Sequence, residues 1–167
     1  MTSTSSRSPQ LRLRFDSSVP APDGRWHDGA SLAFLGGTLR LVLDTRHRDS
    51  RREGDALHLP LPPQATPRQI QDRAESWLRE EAVRILQQLI AQKSALAGRR
   101  APRLALSFAA RGNWAEVHDA ESVRCNWRLI EQPMAVIEQT LVRAIATLPP
   151  EQNGFDLFGH APAAAAR

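Results

Sequence analysis

The stretch from Thr66 to Gly98 limits most tightly what this chain can become. Thr66-Pro67-Arg68-Gln69 is a helix start: Thr66 caps, Pro67 occupies the first turn, and Gln69 reaches back to close a capping box. Ile70, Ala74, Trp77, Leu78, Ala82, Ile85, Leu86 and Leu89 then recur at helical spacing, a broad apolar stripe over about seven turns. Gly98 is the expected stop. A helix with one apolar face must bury it against another layer, so strands are sought on either side.

Before the helix, 30–35 and 38–44 are two apolar runs separated by Gly36-Gly37, a pair suited to the positive φ angles of a hairpin turn. Arg46 to Gly54 reads as a charged, solvated loop. Asp55 to Leu61 returns to alternation and ends among Pro60, Pro62 and Pro63. Leu11 to Phe15 is a short strand candidate. After the helix, Leu104 to Phe108 reads as a strand and Ala109 to Asp119 as a polar loop. Residues 1–25 are expected to be loosely ordered, 26–158 to form one domain, and 159–167 to be a tail.

From Ser122 to Gly154 a strand-like run, Val123 to Trp127, gives way at Pro133 to a second helix. Met134, Ile137, Leu141, Ile145 and Leu148 fall at spacings of three and four, and Pro149-Pro150 ends the pattern. Phe155, Leu157 and Phe158 are the only large apolar residues beyond it.

The run Trp127-Arg128-Leu129-Ile130, with Pro133 and the helix behind it, resembles the YgjP-like zinc metallopeptidase domain, a relative of the SprT-like group. Trp26 to Asp44 and Ala56 to Leu86 resemble that domain's opening hairpin and long first helix. The resemblance implies an α+β, zincin-like fold with a small, mostly antiparallel sheet, one long helix and an active-site helix. In the family that helix carries His-Glu-x-x-His. Here the first zinc histidine would fall on Arg143, the general-base glutamate on Ala144, the second histidine on Thr147 and a third ligand on Asn153. The family's Arg-Trp-Gly-Ser phrase would fall on Asn113, Trp114, Ala115 and Glu116, where only the tryptophan remains. Relatives continue further past Pro150, so the chain is expected to be shortened or frameshifted relative to them.

A catalytic zinc takes about three protein ligands, two of which a helix supplies at i and i+4. Arg143 and Thr147 hold that spacing but offer a cation and a neutral hydroxyl, and Ala144 cannot take a proton from a metal-bound water. No zinc or other cofactor is therefore expected, and the leading expectation is a catalytically inactive, metallopeptidase-like binding or regulatory module with a protein or peptide partner. Trp114, Glu116 and Arg143 are its candidate cleft residues, Arg143 being expected to pair with Glu138, Glu116 or Asp119.

Two readings from other classes stand beside it. An active metalloenzyme with rearranged ligands needs His118, Asp119, Cys125 or His160 to converge, whereas Cys125 reads as a buried apolar residue, His118 as a loop residue and His160 as part of a tail. A metal-free hydrolase would need Ser107, Ser122 or Cys125 beside a base, and no spacing supplies one. A nucleic-acid-binding accessory needs the arginines of 46–52 and 99–103 on one face. Trp77, Trp114 and Trp127 are expected in the core, and Trp26 partly exposed.

The formal net charge of +4 comes almost wholly from arginine, since Lys93 is the only lysine among 167 residues. Arginine fits an ordinary solvated surface first and an anionic partner such as nucleic acid second. The single Cys125 excludes an internal disulfide and a multi-cysteine metal cage. With no run long enough to span a bilayer and no apolar leader in Met1 to Gln10, the expected place is the cytoplasm.

Overall fold

Strand pairing divides the molecule into two small sheets, joined by one long helix. The computed structural model describes residues 24–109 and 112–150, so the strand expected at Leu11 to Phe15 and the segment beyond Pro150 lie outside the described residues. The elements run β1 (Ser31–Phe34), β2 (Gly37–Leu43), β3 (Arg51–Glu53), β4 (Ala56–Leu59), α1 (Pro67–Leu96), β5 (Arg103–Ser107), β6 (Ala115–Asp119), β7 (Ser122–Asn126), a 3-10 turn (Trp127–Glu131) and α2 (Met134–Ala146). The class is α+β.

The first sheet has the order β1-β2-β4-β3 and the second β5-β7-β6. Each contains one parallel pair, β2 with β4 and β5 with β7, while the hairpin pairs are antiparallel. The prolines after β4 end the first sheet, because a proline has no amide to give a central ladder.

α1 forms as its local signals dictate. Thr66 Oγ1 accepts from the Gln69 amide, and Gln69 Oε1 accepts from the Thr66 amide at 2.9 Å, completing the capping box. At the other end the Arg99 amide donates to the Ser94 carbonyl and the Gly98 amide to the Ala95 carbonyl, with Gly98 at φ 65°. These two bonds make a Schellman stop, which leaves few orphan carbonyls. Every stripe residue from Ile70 to Leu89 is buried, and Ile90 and Ser94 extend the face.

Four expectations need correcting. The β1–β2 turn is Leu35-Gly36, with φ of 50° and 78°, and Gly37 already pairs with Phe34 in the ladder. The cause is tertiary: the Leu35 amide donates to the Ile130 carbonyl at 2.8 Å and the Gly36 amide to the Glu131 carbonyl at 3.3 Å. A Cβ on Gly36 would stand 2.7 Å from Pro133 Cα, so only glycine lets the turn lie on the start of α2.

The charged run 46–54 holds β3, an edge strand of Arg51, Arg52 and Glu53 that hydrogen-bonds to β4 with every side chain exposed. A charged edge discourages pairing with another chain, and it also hides the strand from hydropathy patterning. Ala109 to Asp119 is a loop only in its first part: from Ala115 it forms β6, an edge of the second sheet. The tryptophans divide differently from expectation too. Trp77 and Trp127 are buried, as is Trp26, whereas Trp114 is 41% exposed.

Candidate functional site

The Trp-Arg-Leu-Ile run does structural work. Asn126, at the end of β7, accepts from the Arg128 amide at 3.0 Å through Oδ1 and donates from Nδ2 to the Ala109 carbonyl at 2.9 Å. It thereby starts the 3-10 turn and ties it to the end of β5. Trp127 is buried, with the Arg128 guanidinium 4.5 Å and the Arg79 guanidinium 5.1 Å from its ring centre. Glu75 joins the two arginines, at 2.6 Å from Arg79 and 3.6 Å from Arg128. Leu129 and Ile130 are fully buried. The turn is therefore pinned to α1 by apolar contact and by ion pairs.

From this anchor α2 runs against α1 and β6. Ile137, Leu141, Ile145 and the following Leu148 are buried as the spacing requires, while Met134 is 37% exposed. Lys93 of α1 bonds Glu138 of α2 at 2.7 Å. Pro133 sits one position earlier than expected, as the N-cap, and its ring provides no capping side chain.

The helix stops at Ala146, and Thr147 is its C-cap. Arg143 lies exposed in the last turn, where a cation is favoured by the carbonyl end of the helix. Ala144 is buried, and the Thr147 hydroxyl donates back to the Ala144 carbonyl at 2.8 Å. None of the acids expected to pair with Arg143 does so. Glu138 is taken by Lys93, Glu116 is approached by Asn113 Nδ2 at 3.4 Å, and Asp119 accepts from the Ser122 hydroxyl at 2.6 Å and the Glu121 amide at 2.8 Å.

A more distant arginine does close this helix. Arg99, just past α1, donates from Nη1 to the Ile145 carbonyl at 3.0 Å and from Nη2 to the Pro149 carbonyl at 2.8 Å. It satisfies carbonyls that the end of α2 leaves open. Beside it a groove of about 710 Å3 is lined by Arg99, Arg100, Arg103, Glu121, Leu148 and Pro149 among others. Trp114, Glu116 and Arg143 are not among its lining residues. Sequence reasoning missed Arg99, because the carbonyls it serves lie almost fifty positions away.

On the second sheet Glu116 and His118 are exposed on the edge strand β6, with the exposed Trp114 just before it, while Ala115 and Val117 pack against the core. His118 is on this strand and not in a loop, 3.1 Å from Arg124 Nη2 through Nε2. The Ser122 hydroxyl and Glu121 amide hold the Asp119 carboxyl below its ordinary value. Cys125 is fully buried, and desolvation pushes its thiol up to about 12. That thiol is protonated at neutral pH and is no nucleophile. Among the described residues, no three His, Cys, Asp or Glu side chains gather as a metal ion would require. Asn153 and His160 lie outside the described residues.

The model of the YgjP-like metallopeptidase domain matches residues 10–142. The chain belongs to the YgjP-like metallopeptidase family. Neither the curated proteins nor the solved structures contain a match to it. The family match spans both sheets, α1 and most of α2, and ends one residue before Arg143.

The YgjP-like assignment implies zinc, and the residues present can be tested against that ion. A guanidinium, a methyl group and a hydroxyl already bonded to its own helix are not a zinc donor set. The sequence contains no His-Glu-x-x-His. The residues at positions 143, 144 and 147 therefore do not fit the metal. Among the described residues, no helix is long and apolar enough to cross a membrane.

Proposed function

We propose that this chain is a non-catalytic member of the YgjP-like family that holds a peptide or protein segment without cleaving it. The observation that carries this reading is the end of α2: Arg143 points a cation to solvent, Ala144 has no donor atom, and the Thr147 hydroxyl is spent on the Ala144 carbonyl. The scaffold around that end is nevertheless intact, with Trp127 to Ile130 locked on α1 and α2 laid against β6. Among the described residues β6 is an edge strand with no further strand beside it, and Glu116 on it and Trp114 just before it are exposed to an extended segment that would add to the sheet.

The nucleic-acid reading has less support. Arg46 makes three side-chain bonds to Asp44, Arg51 pairs with Glu53, Arg52 donates to the Gly54 carbonyl and Arg99 is committed to α2, so at least four of the seven arginines in those two runs are already engaged.

The test uses fluorescently labelled, carboxymethylated casein as an unfolded segment, with and without added zinc. The reading predicts saturable binding in fluorescence anisotropy, no new cleavage products, and weaker binding by Trp114→Ala. Zinc-dependent cleavage, or no binding at all, contradicts it.

A further inference from the structure

α2 is apolar on the face it buries and on much of the face it shows. Ile137, Leu141, Ala144 and Ile145 are buried where the helix meets α1 and β6. On the other side Val142 is 48% exposed, Val136 38% and Met134 37%, with Ala135 and Ala146 exposed beside them. Ala135, Val142 and Ala146 follow one another at helical spacing, so they share one stripe. A helix on an open surface normally turns charged residues outward. α1 does so with Arg68, Asp72, Arg73, Glu80 and Arg84, whereas the exposed face of α2 carries one charge, Arg143. An apolar patch of this kind marks a surface that something covers.

We propose that the cover is the chain's own segment 151–158, folded back along α2 so that Phe155, Leu157 and Phe158 meet the exposed apolar side chains and Asp156 meets Arg143. The segment leaves from the right place: Pro149-Pro150 cannot extend the helix, and Arg99 Nη2 holds the Pro149 carbonyl at 2.8 Å. Its length suffices, since eight extended residues reach about 26–29 Å and the thirteen residues of α2 span about 20 Å. It brings three large apolar residues within four positions, with a carboxylate among them. Arg143 is exposed to receive that carboxylate, because Glu138 is taken by Lys93 and Asp119 by Ser122. A second copy suits the face less well. A helix stripe about 20 Å by 10 Å gives a few hundred Å2, short of the roughly 800 Å2 per partner of a stable interface. The covered face belongs to α2 and does not depend on the peptide-binding reading of the β6 edge.

The experiment measures how fast a thiol-specific disulfide reagent labels Val142→Cys at neutral pH, in the full chain and in the full chain that also carries Phe155→Ser, Leu157→Ser and Phe158→Ser. Gln88→Cys, exposed on α1, is the control in both backgrounds, and the buried Cys125 does not compete. The proposal predicts that Val142→Cys reacts about tenfold or more faster once the three apolar residues are replaced, while the control rate stays the same. Equal rates at Val142→Cys in the two backgrounds, or an equal acceleration at Gln88→Cys, overturn it. Protection that survives the replacements and is lost on dilution assigns the face to a second copy and overturns it too.

Discussion

Arg99 Nη1 donates to the Ile145 carbonyl at 3.0 Å, so the residue that ends α1 also ends α2. Both helices stop at one point, and the groove opens there. Arg99→Ala removes charge-assisted bonds to partly buried carbonyls and is expected to lower unfolding free energy by about 1.5–3 kcal/mol. Arg99→Lys keeps the charge but loses the forked geometry and should recover only part of that loss. Urea denaturation of the three proteins measures both.

Gly36 and Gly37 make a matched pair for testing how β1–β2 docks on α2. A side chain at Gly36 meets the Pro133 backbone and must also adopt φ 78°, whereas one at Gly37 finds only the Phe34 carbonyl at an ordinary 3.6 Å. Gly36→Ala should destabilise by about 2–4 kcal/mol. Gly37→Ala should change stability by less than about 1 kcal/mol. Equal effects in thermal unfolding would mean that the turn does not lie where these contacts put it.

Acid should weaken the end of the first sheet through Asp44. The Arg46 side chain and amide hydrogen-bond to its carboxyl and hold it well below the usual carboxylate range. A value depressed in the folded state stabilises the fold above the unfolded value of about 3.9, and that contribution is lost as pH falls through and below it. Asp44→Asn should therefore reduce stability at neutral pH and flatten the decline below about pH 4. Denaturation midpoints from pH 7 down to pH 3 test this, and parallel curves for the two proteins would contradict it.

Cys125 provides the opposite sign. Burial raises its thiol to about 12, so its contribution is complete below the unfolded value of about 8.5 and is lost as pH rises toward the folded one. At neutral pH a thiol-specific disulfide reagent should react with the native protein at the rate of unfolding, and at once in urea. Fast labelling of the native protein would show the thiol to be accessible, against its full burial.

What the sequence disclosed depended on how local the cause was. α1 was legible to the residue at its start, because Thr66, Pro67 and Gln69 supply the cap without outside help. The hairpin before it was legible, but its turn was displaced by one residue, since the bond from Leu35 to Ile130 comes from almost a hundred positions away. β3 was invisible, as an edge strand of two arginines and a glutamate has no apolar alternation to read. The buried face of α2 was legible from Ile137 to Leu148. The surroundings of Arg143 were not, because the choice of Lys93 by Glu138 and of Ser122 by Asp119 is made only once α1, α2 and β7 are brought together.

Zinc content per chain is the most direct test of the proposed loss of catalysis. The protein, purified without a histidine tag, is equilibrated with zinc, freed of loosely held metal by gel filtration and measured by elemental analysis. A stoichiometry near zero is the result that the residues at 143, 144 and 147 predict. One tightly retained zinc per chain would contradict the account, and substitution of His118, Cys125 and His160 would then identify the ligands that hold it.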